Sequence, residues 1–350
     1  MSFPAQLSLA GRTIGAGSPA YLIAEAGSNH DRDLGKARAL IDVAAEAGAD
    51  AVKFQTYSGA RIYSRHARSE SLERSSGQTP AELLEAISLP REWQGELAAH
   101  ARERGIDFFS SPFDHEAVSE LAELEVPLLK IASGEIVDLP LIRHAAATGI
   151  PLIISTGMAT LAEVDEALAA AAEGGARSVA LMQCASVYPA PPARINLRAM
   201  ETLRAAFGVP AGLSDHTLGT AVPIAAAALG AAMIEKHITL DRTAQGPDHP
   251  FATEPAELAA LVAGVREAEA ALGDGRKQGP GPEEREENYT LARRSLIAAR
   301  DLPAGTVIEP SMLAVKRPGW GIAPKHFELV VGRELRADVE ADDVLTWDVV

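Results

Sequence analysis

Eight short apolar runs, each followed by a longer stretch of helical spacing, recur from Tyr21 onward, and no other feature restricts the fold so strongly. The runs are YLIAE (Tyr21 to Glu25), AVKFQT (Ala51 to Thr56), DFFSS (Asp107 to Ser111), PLLKIA (Pro127 to Ala132), PLIIS (Pro151 to Ser155), VALMQC (Val179 to Cys184), AGLSDH (Ala211 to His216) and AMIEKH (Ala232 to His237). The stretches between them, such as TLAEVDEALAAAAEGGA, place apolar residues three and four apart and often end in Gly, as helices do. Eight strand-then-helix units in about 250 residues predict an α/β protein of the (β/α)8 TIM barrel type. A doubly wound sheet is the competing arrangement, but it needs a Gly-rich phosphate turn after its first strand. Here EAGSNH follows that strand, and the glycines of GAGS precede it.

Two further segments flank the barrel. LSLAGRTIGAG reads as an N-terminal hairpin that closes the barrel's bottom, giving a barrel domain over residues 1–272. GDGRKQGPGPEEREEN, residues 273–288, loses apolar periodicity and reads as a linker. The remainder, 289–350, has short Val/Ile/Leu runs broken by Pro and Gly and predicts a small β-rich domain. A long insertion, Ser58 to Leu89, carries Arg61, Arg65, His66 and Arg68; it reads as a solvated charge run, with a functional lid as the other reading.

The net charge of -16 argues against binding to nucleic acid or to an anionic membrane, because those partners attract basic surfaces. No apolar run approaches the roughly 20 residues of a membrane span, and the N-terminus lacks a signal pattern. Together with a single cysteine, Cys184, these features predict a cytoplasmic protein.

Charged residues inside the apolar runs point to a site. Burying an unpaired charge is costly, so Glu235, Lys236 and His237 in AMIEKH need partners or a ligand. Side chains alternate faces along a strand, so Glu235 and His237 share one, as do Lys53 and Gln55, and Ser214 and His216. Glu25 and Lys130 are also near strand ends, where barrels of this class place their active sites. His216 and His237 could hold a divalent cation through neutral imidazoles; taken singly, each is more often a hydrogen-bonded core or capping residue. Lys53 and Lys130 suit a phosphate or carboxylate, or else structural ion pairs. Glu25 reads as a general base or as a loop carboxylate.

The blocks IAEAGSNH, GADAVKFQTY, FFSSPFD, LKIASGE, CASVYPAP, GLSDHT, IEKHITLD with GPDHPFATEP, and KRPGWGIAP resemble, in order and spacing, the bacterial sialic acid synthases, legionaminic and pseudaminic acid synthases included. The resemblance covers nearly the whole chain, and its terminal part resembles the antifreeze-like (SAF) domain. It implies a transferase that condenses phosphoenolpyruvate with an N-acylated hexosamine such as N-acetylmannosamine, giving N-acetylneuraminate or a related nonulosonate and phosphate. It also implies a divalent metal, usually manganese, with magnesium or cobalt as alternatives, held by His216 and His237. Glu25 then matches the catalytic carboxylate. Lys53, Ser110, Lys130, Ser133, Ser186 and Ser214 match phosphoenolpyruvate-binding positions, and Gln55, Glu135, Tyr188, Asp248 and Arg317 match sugar-binding ones. Arg317 corresponds to the arginine that one subunit extends over its partner's site in that family, so the resemblance implies a domain-swapped homodimer. Ser186 stands where some relatives carry Asn, and Ser110 where some carry Thr; either keeps a hydrogen-bonding group.

Overall fold

The computed structural model describes residues 3–9, 11–69, 77–286 and 288–350. They form two compact units, Met1–Gly273 and Asp274–Val350. In the first, strands β1 (Gln6–Leu9) and β2 (Arg12–Gly15) form an antiparallel hairpin whose Leu7, Leu9 and Ile14 join the main apolar core. Eight parallel strands follow: β3 (Tyr21–Glu25), β4 (Ala51–Thr56), β5 (Asp107–Pro112), β6 (Leu129–Ile131), β7 (Leu152–Ser155), β8 (Val179–Cys184), β9 (Ala211–Asp215) and β10 (Met233–His237). They close into a barrel in sequence order, with β10 pairing back to β3. Three of the eight strands match the sequence reading end to end, and the others differ by no more than two residues at either end.

Local chemistry explains this agreement. The helix Leu161–Glu173 begins at Thr160, whose hydroxyl accepts the Glu163 N–H while Glu163 accepts the Thr160 N–H. Its buried Val164, Ala167, Leu168 and Ala171 recur at three- and four-residue spacing and turn toward the sheet. Each strand is enclosed on both sides, inward by the barrel filling and outward by helices, so polar residues are tolerated only where they find partners.

The insertion contains the helices Gly59–Ile62 and Pro80–Ile87, and residues 70–76 of it lie outside the described residues. Its Arg61 is exposed and pairs with Asp114 and Glu116, whereas Arg65 and His66 stay at the surface. That arrangement agrees with a solvated charge run.

The second unit has its own core of Leu296, Leu302, Ile308, Ile322, Val330, Leu335 and Leu345 among others. Its regular strands are β11 (Ser295–Ala298) and β12 (Leu313–Lys316), paired antiparallel and extended by isolated bridges such as Leu302–Val339. The segment read as a linker includes the short helix Pro282–Glu286.

Candidate active site

The parallel register and the strand alternation select which side chains meet at the C-terminal end of the barrel. Glu25 lies opposite both Lys53 and His237, Gln55 opposite Ser111, and Ser214 opposite Glu235. The resulting pocket has a cavity volume of about 70 Å³. Of the residues singled out from sequence, Glu25, Lys53, Gln55, Lys130, Ser133, Tyr188, Ser214, His216 and His237 line it. Ser186 touches its wall through Ser133, with the two hydroxyl oxygens 3.4 Å apart. Asp248 approaches from the loop after β10, its Oδ2 being 3.7 Å from His237 Nδ1 and accepting from Ser28 Oγ at 3.3 Å.

Two expected residues, Ser110 and Glu135, are placed differently. Ser110 faces outward: its hydroxyl is 2.7 Å from that of Thr56, which in turn donates to Gln94 in the helical shell. The register Lys53–Phe109 and Gln55–Ser111 fixes this, since residues 107, 109 and 111 share the inner face. Ser111 is therefore the pocket hydroxyl, accepting from Lys53 Nζ at 3.1 Å. Glu135 sits in a short 3-10 turn after β6, half-buried and outside the pocket lining, and burial pushes its carboxyl up. Arg317 belongs to the second unit, exposed in the turn after β12.

Two lysines and two glutamates form the pocket floor. Lys53 Nζ is 2.6 Å from Glu25 Oε2 and 3.9 Å from Glu235 Oε1. Lys130 Nζ donates to Glu235 Oε1 at 2.5 Å and Ser214 Oγ donates to the same oxygen at 3.1 Å. Gln55 Nε2 donates to Glu25 Oε1 at 2.7 Å. All four charged groups are buried. Desolvation pushes the Glu25 carboxyl up to about 7 against the pull of Lys53. For Glu235 desolvation is outweighed by Lys130 and Lys53, which hold its carboxyl below the usual range. Lys53 is likewise held up by Glu235 and Glu25 despite its burial, whereas burial draws Lys130 down.

The histidines complete one wall. Their ring centroids are 5.4 Å apart, and Phe251 packs on His237 at 5.0 Å while Tyr188 packs on His216 at 4.4 Å. His216 Nδ1 lies 3.0 Å from the Ala185 carbonyl. A carbonyl only accepts, so Nδ1 carries the proton and the Nε2 lone pair is free. Burial lowers the proton affinity of both imidazoles, that of His237 strongly. Buried His237 Nδ1 has no hydrogen-bond partner. These neutral, partly unsatisfied donors fit a divalent cation. Among the described residues no group of three or more His, Cys, Asp or Glu side chains is placed to hold one.

Ser111 and Ser155 are pocket residues to which no role was given above, whereas Glu235, expected on the same face as His237, lines the pocket as well. Buried Ser155 Oγ and Glu235 Oε2 also lack partners. Ser155 ends β7 and had the same signal as Ser214, a hydroxyl at the C-terminal end of a strand.

The NeuB family model matches residues 40–277 and the SAF domain model residues 293–350. The chain is 40% identical over 342 residues to the N,N'-diacetyllegionaminic acid synthase of Legionella pneumophila, covering 95% of each chain. It is 36% identical over 352 residues to the N-acetylneuraminate-9-phosphate synthase of Homo sapiens, covering 99% of this chain and 97% of that protein. The crystal structure of the N-acetylneuraminic acid (sialic acid) synthetase of Leptospira borgpetersenii superposes with a TM-score of 0.73 at 34% identity, covering 82% of this chain and 96% of that one. A closed eight-stranded barrel with this pocket, followed by a small unit of antiparallel strands, thus has full-length relatives of the same design: the chain belongs to the NeuB family and ends in a SAF domain.

Proposed function

We propose that the chain condenses phosphoenolpyruvate with an N-acylated hexosamine, N-acetylmannosamine in the first instance, to give a nonulosonic acid and phosphate. The observation that carries this reading is the meeting of His216 and His237 above the buried Glu25, Lys53, Glu235 and Lys130 at the barrel mouth. Lys53 and Lys130, with hydroxyls of Ser111, Ser133, Ser155 and Ser214, make a cradle for a small phosphorylated acid. Two lysines facing two glutamates are close to neutral together, so binding a polyanion is favoured by a cation alongside it.

His216 and His237 would hold that divalent ion, manganese in this reading, and its chemistry there is Lewis-acid polarisation of the sugar's aldehyde oxygen. Gln55 and Lys53 orient the Glu25 carboxylate, which positions the water that adds at C2 of the enol acid. Tyr188 and Asp248 supply hydrogen bonds to sugar hydroxyls. In a domain-swapped homodimer, Arg317 of the partner subunit completes the sugar site.

Incubation of the full chain with phosphoenolpyruvate, manganese and a panel of N-acetylmannosamine, diacetamido-trideoxyhexoses and aldose phosphates, with products read by mass spectrometry, tests this. A nine-carbon keto acid is expected from an acylated hexosamine. Products from aldose phosphates alone, or no product at all, overturn it. A second reading, that the sugar is a diacetamido-trideoxyhexose, is favoured by the 40% identity to a relative named N,N'-diacetyllegionaminic acid synthase. The same panel separates the two.

A further inference from the structure

The inward histidines each adjoin an outward residue of one buried ion pair. Asp215 precedes His216 and Lys236 precedes His237, and the two stand opposite each other in the β9–β10 register. Both are buried, and neither lines the pocket. Lys236 Nζ donates to Asp215 Oδ2 at 2.6 Å and, in a short contact, to the Thr217 carbonyl. Asp215 in turn accepts the Thr217 N–H and the Thr217 hydroxyl, each at 3.0 Å. One ammonium therefore ties the residue before His216 and the residue after it to the strand that carries His237.

A buried ion pair is a poor device for stability alone, because well-packed apolar residues of the same volume serve as well or better. What it adds is a fixed relative placement of the two chain segments it joins. We propose that Asp215, Thr217 and Lys236 form a positioning clamp that sets the spacing of the two imidazoles for a shared divalent cation. This rests on the metal reading under Proposed function and extends it to the outer face of the strands. The clamp leaves the pocket chemistry to His216 and His237 and acts only through their backbones. Such outer partners of metal ligands commonly govern affinity by about ten- to a hundredfold.

The test is calorimetric titration of manganese chloride into the substrate-free full chain, beside thermal melts. In Asp215→Asn/Lys236→Met, which removes the charges together and leaves neither one buried unpaired, the fold is retained and the manganese Kd rises about tenfold. Asp215→Asn/Lys236→Gln, whose amides can still pair with each other and with the Thr217 carbonyl without a lone buried charge, recovers most of the affinity. Parent-like affinity in Asp215→Asn/Lys236→Met overturns the clamp. Should that variant not fold, Thr217→Val, which removes only the hydroxyl's bond to Asp215, decides instead: a rise of about two- to fivefold is expected, and an unchanged Kd overturns the proposal. His237→Ala distinguishes the two levels of failure. If the parent binds no manganese, or His237→Ala binds it as the parent does, the metal reading falls and the clamp with it; if His237→Ala loses binding while Asp215→Asn/Lys236→Met keeps it, only the clamp falls.

Discussion

Lys53 and Glu25 face each other across adjacent barrel strands, with Nζ 2.6 Å from Oε2 and both side chains almost wholly enclosed. Removing only one of them leaves a buried charge without its partner. Lys53→Met is expected to cost about 3–5 kcal/mol of stability, most of it regained in Lys53→Met/Glu25→Gln. Urea unfolding of the single and double variants measures this. Neither variant turns over, because both lack one ammonium of the cradle and the double variant also lacks the carboxylate. Additive stability losses in the double variant would contradict the pairing.

Adjacent serines on β5 should separate by phenotype. Ser111→Ala removes the hydroxyl beside Lys53 and is expected to raise the KM for phosphoenolpyruvate by about tenfold with the melting temperature unchanged. Ser110→Ala removes the hydroxyl bonded to Thr56 on the outer face, costing about 1 kcal/mol of stability while KM stays put. Steady-state kinetics alongside urea unfolding checks both, and the reverse pattern would mean that the inner and outer faces of β5 are exchanged.

Gly27 has a φ of +51°, and a Cβ there would come within 2.8 Å of Asp248 Oδ2 and 3.3 Å of His237 Nδ1. Gly27→Ala therefore combines backbone strain of about 1–2 kcal/mol with displacement of the Asp248 loop. The expected result is a lower melting temperature and a severalfold higher KM for the sugar. An unchanged KM would place Asp248 outside the sugar site.

Asp114 accepts the Ala117 N–H at 2.8 Å and the Arg91 guanidinium at 2.6 Å, and Arg61 reaches it from the insertion. Burial works to raise its carboxyl, but the Ala117 N–H and Arg91 outweigh that and hold it below the ordinary value of 3.8. A depressed folded-state value adds stability above the unfolded value and loses it as pH falls through the folded one. Asn caps helices as well as Asp does, so Asp114→Asn isolates the charge. The parent should exceed this variant in unfolding free energy at pH 7, and the gap should shrink as pH falls below the ordinary carboxylate range. A gap independent of pH would assign the loss to the cap geometry.

Arg317→Ala is expected to weaken sugar binding and spare phosphoenolpyruvate. Mixed with His237→Ala, it should recover activity if subunits complete each other's sites. Size-exclusion chromatography with light scattering and activity of the mixture reads this; two inactive variants that stay inactive when mixed would place each Arg317 over its own barrel or over none.

Much of this was legible before any coordinates, for identifiable reasons. The barrel strands are short, apolar and bounded by capped helices, so pattern alone located them. The polar residues near their C-terminal ends, Glu25, His216 and His237 above all, were conspicuous because such positions are costly without a task. What pattern left open was phase. DFFSS is buried along nearly its whole length, so nothing in its composition distinguishes an inward serine from an outward one; only pairing to β4 assigns Ser111 to the pocket. Asp248 and Phe251 come from a loop whose path is set by tertiary contacts, and Phe251's packing on His237 had no local signal.

The three consecutive polar residues of β10 show how little freedom such a stave retains. Glu235 holds the pocket ammoniums, Lys236 grips the outer loop and His237 reaches the rim, each by virtue of its odd or even place. Losing or gaining one residue there would invert all three at once. A residue inserted into a connecting loop has no such phase to upset, so the staves hold their length as a ratchet holds its teeth while the loops need not.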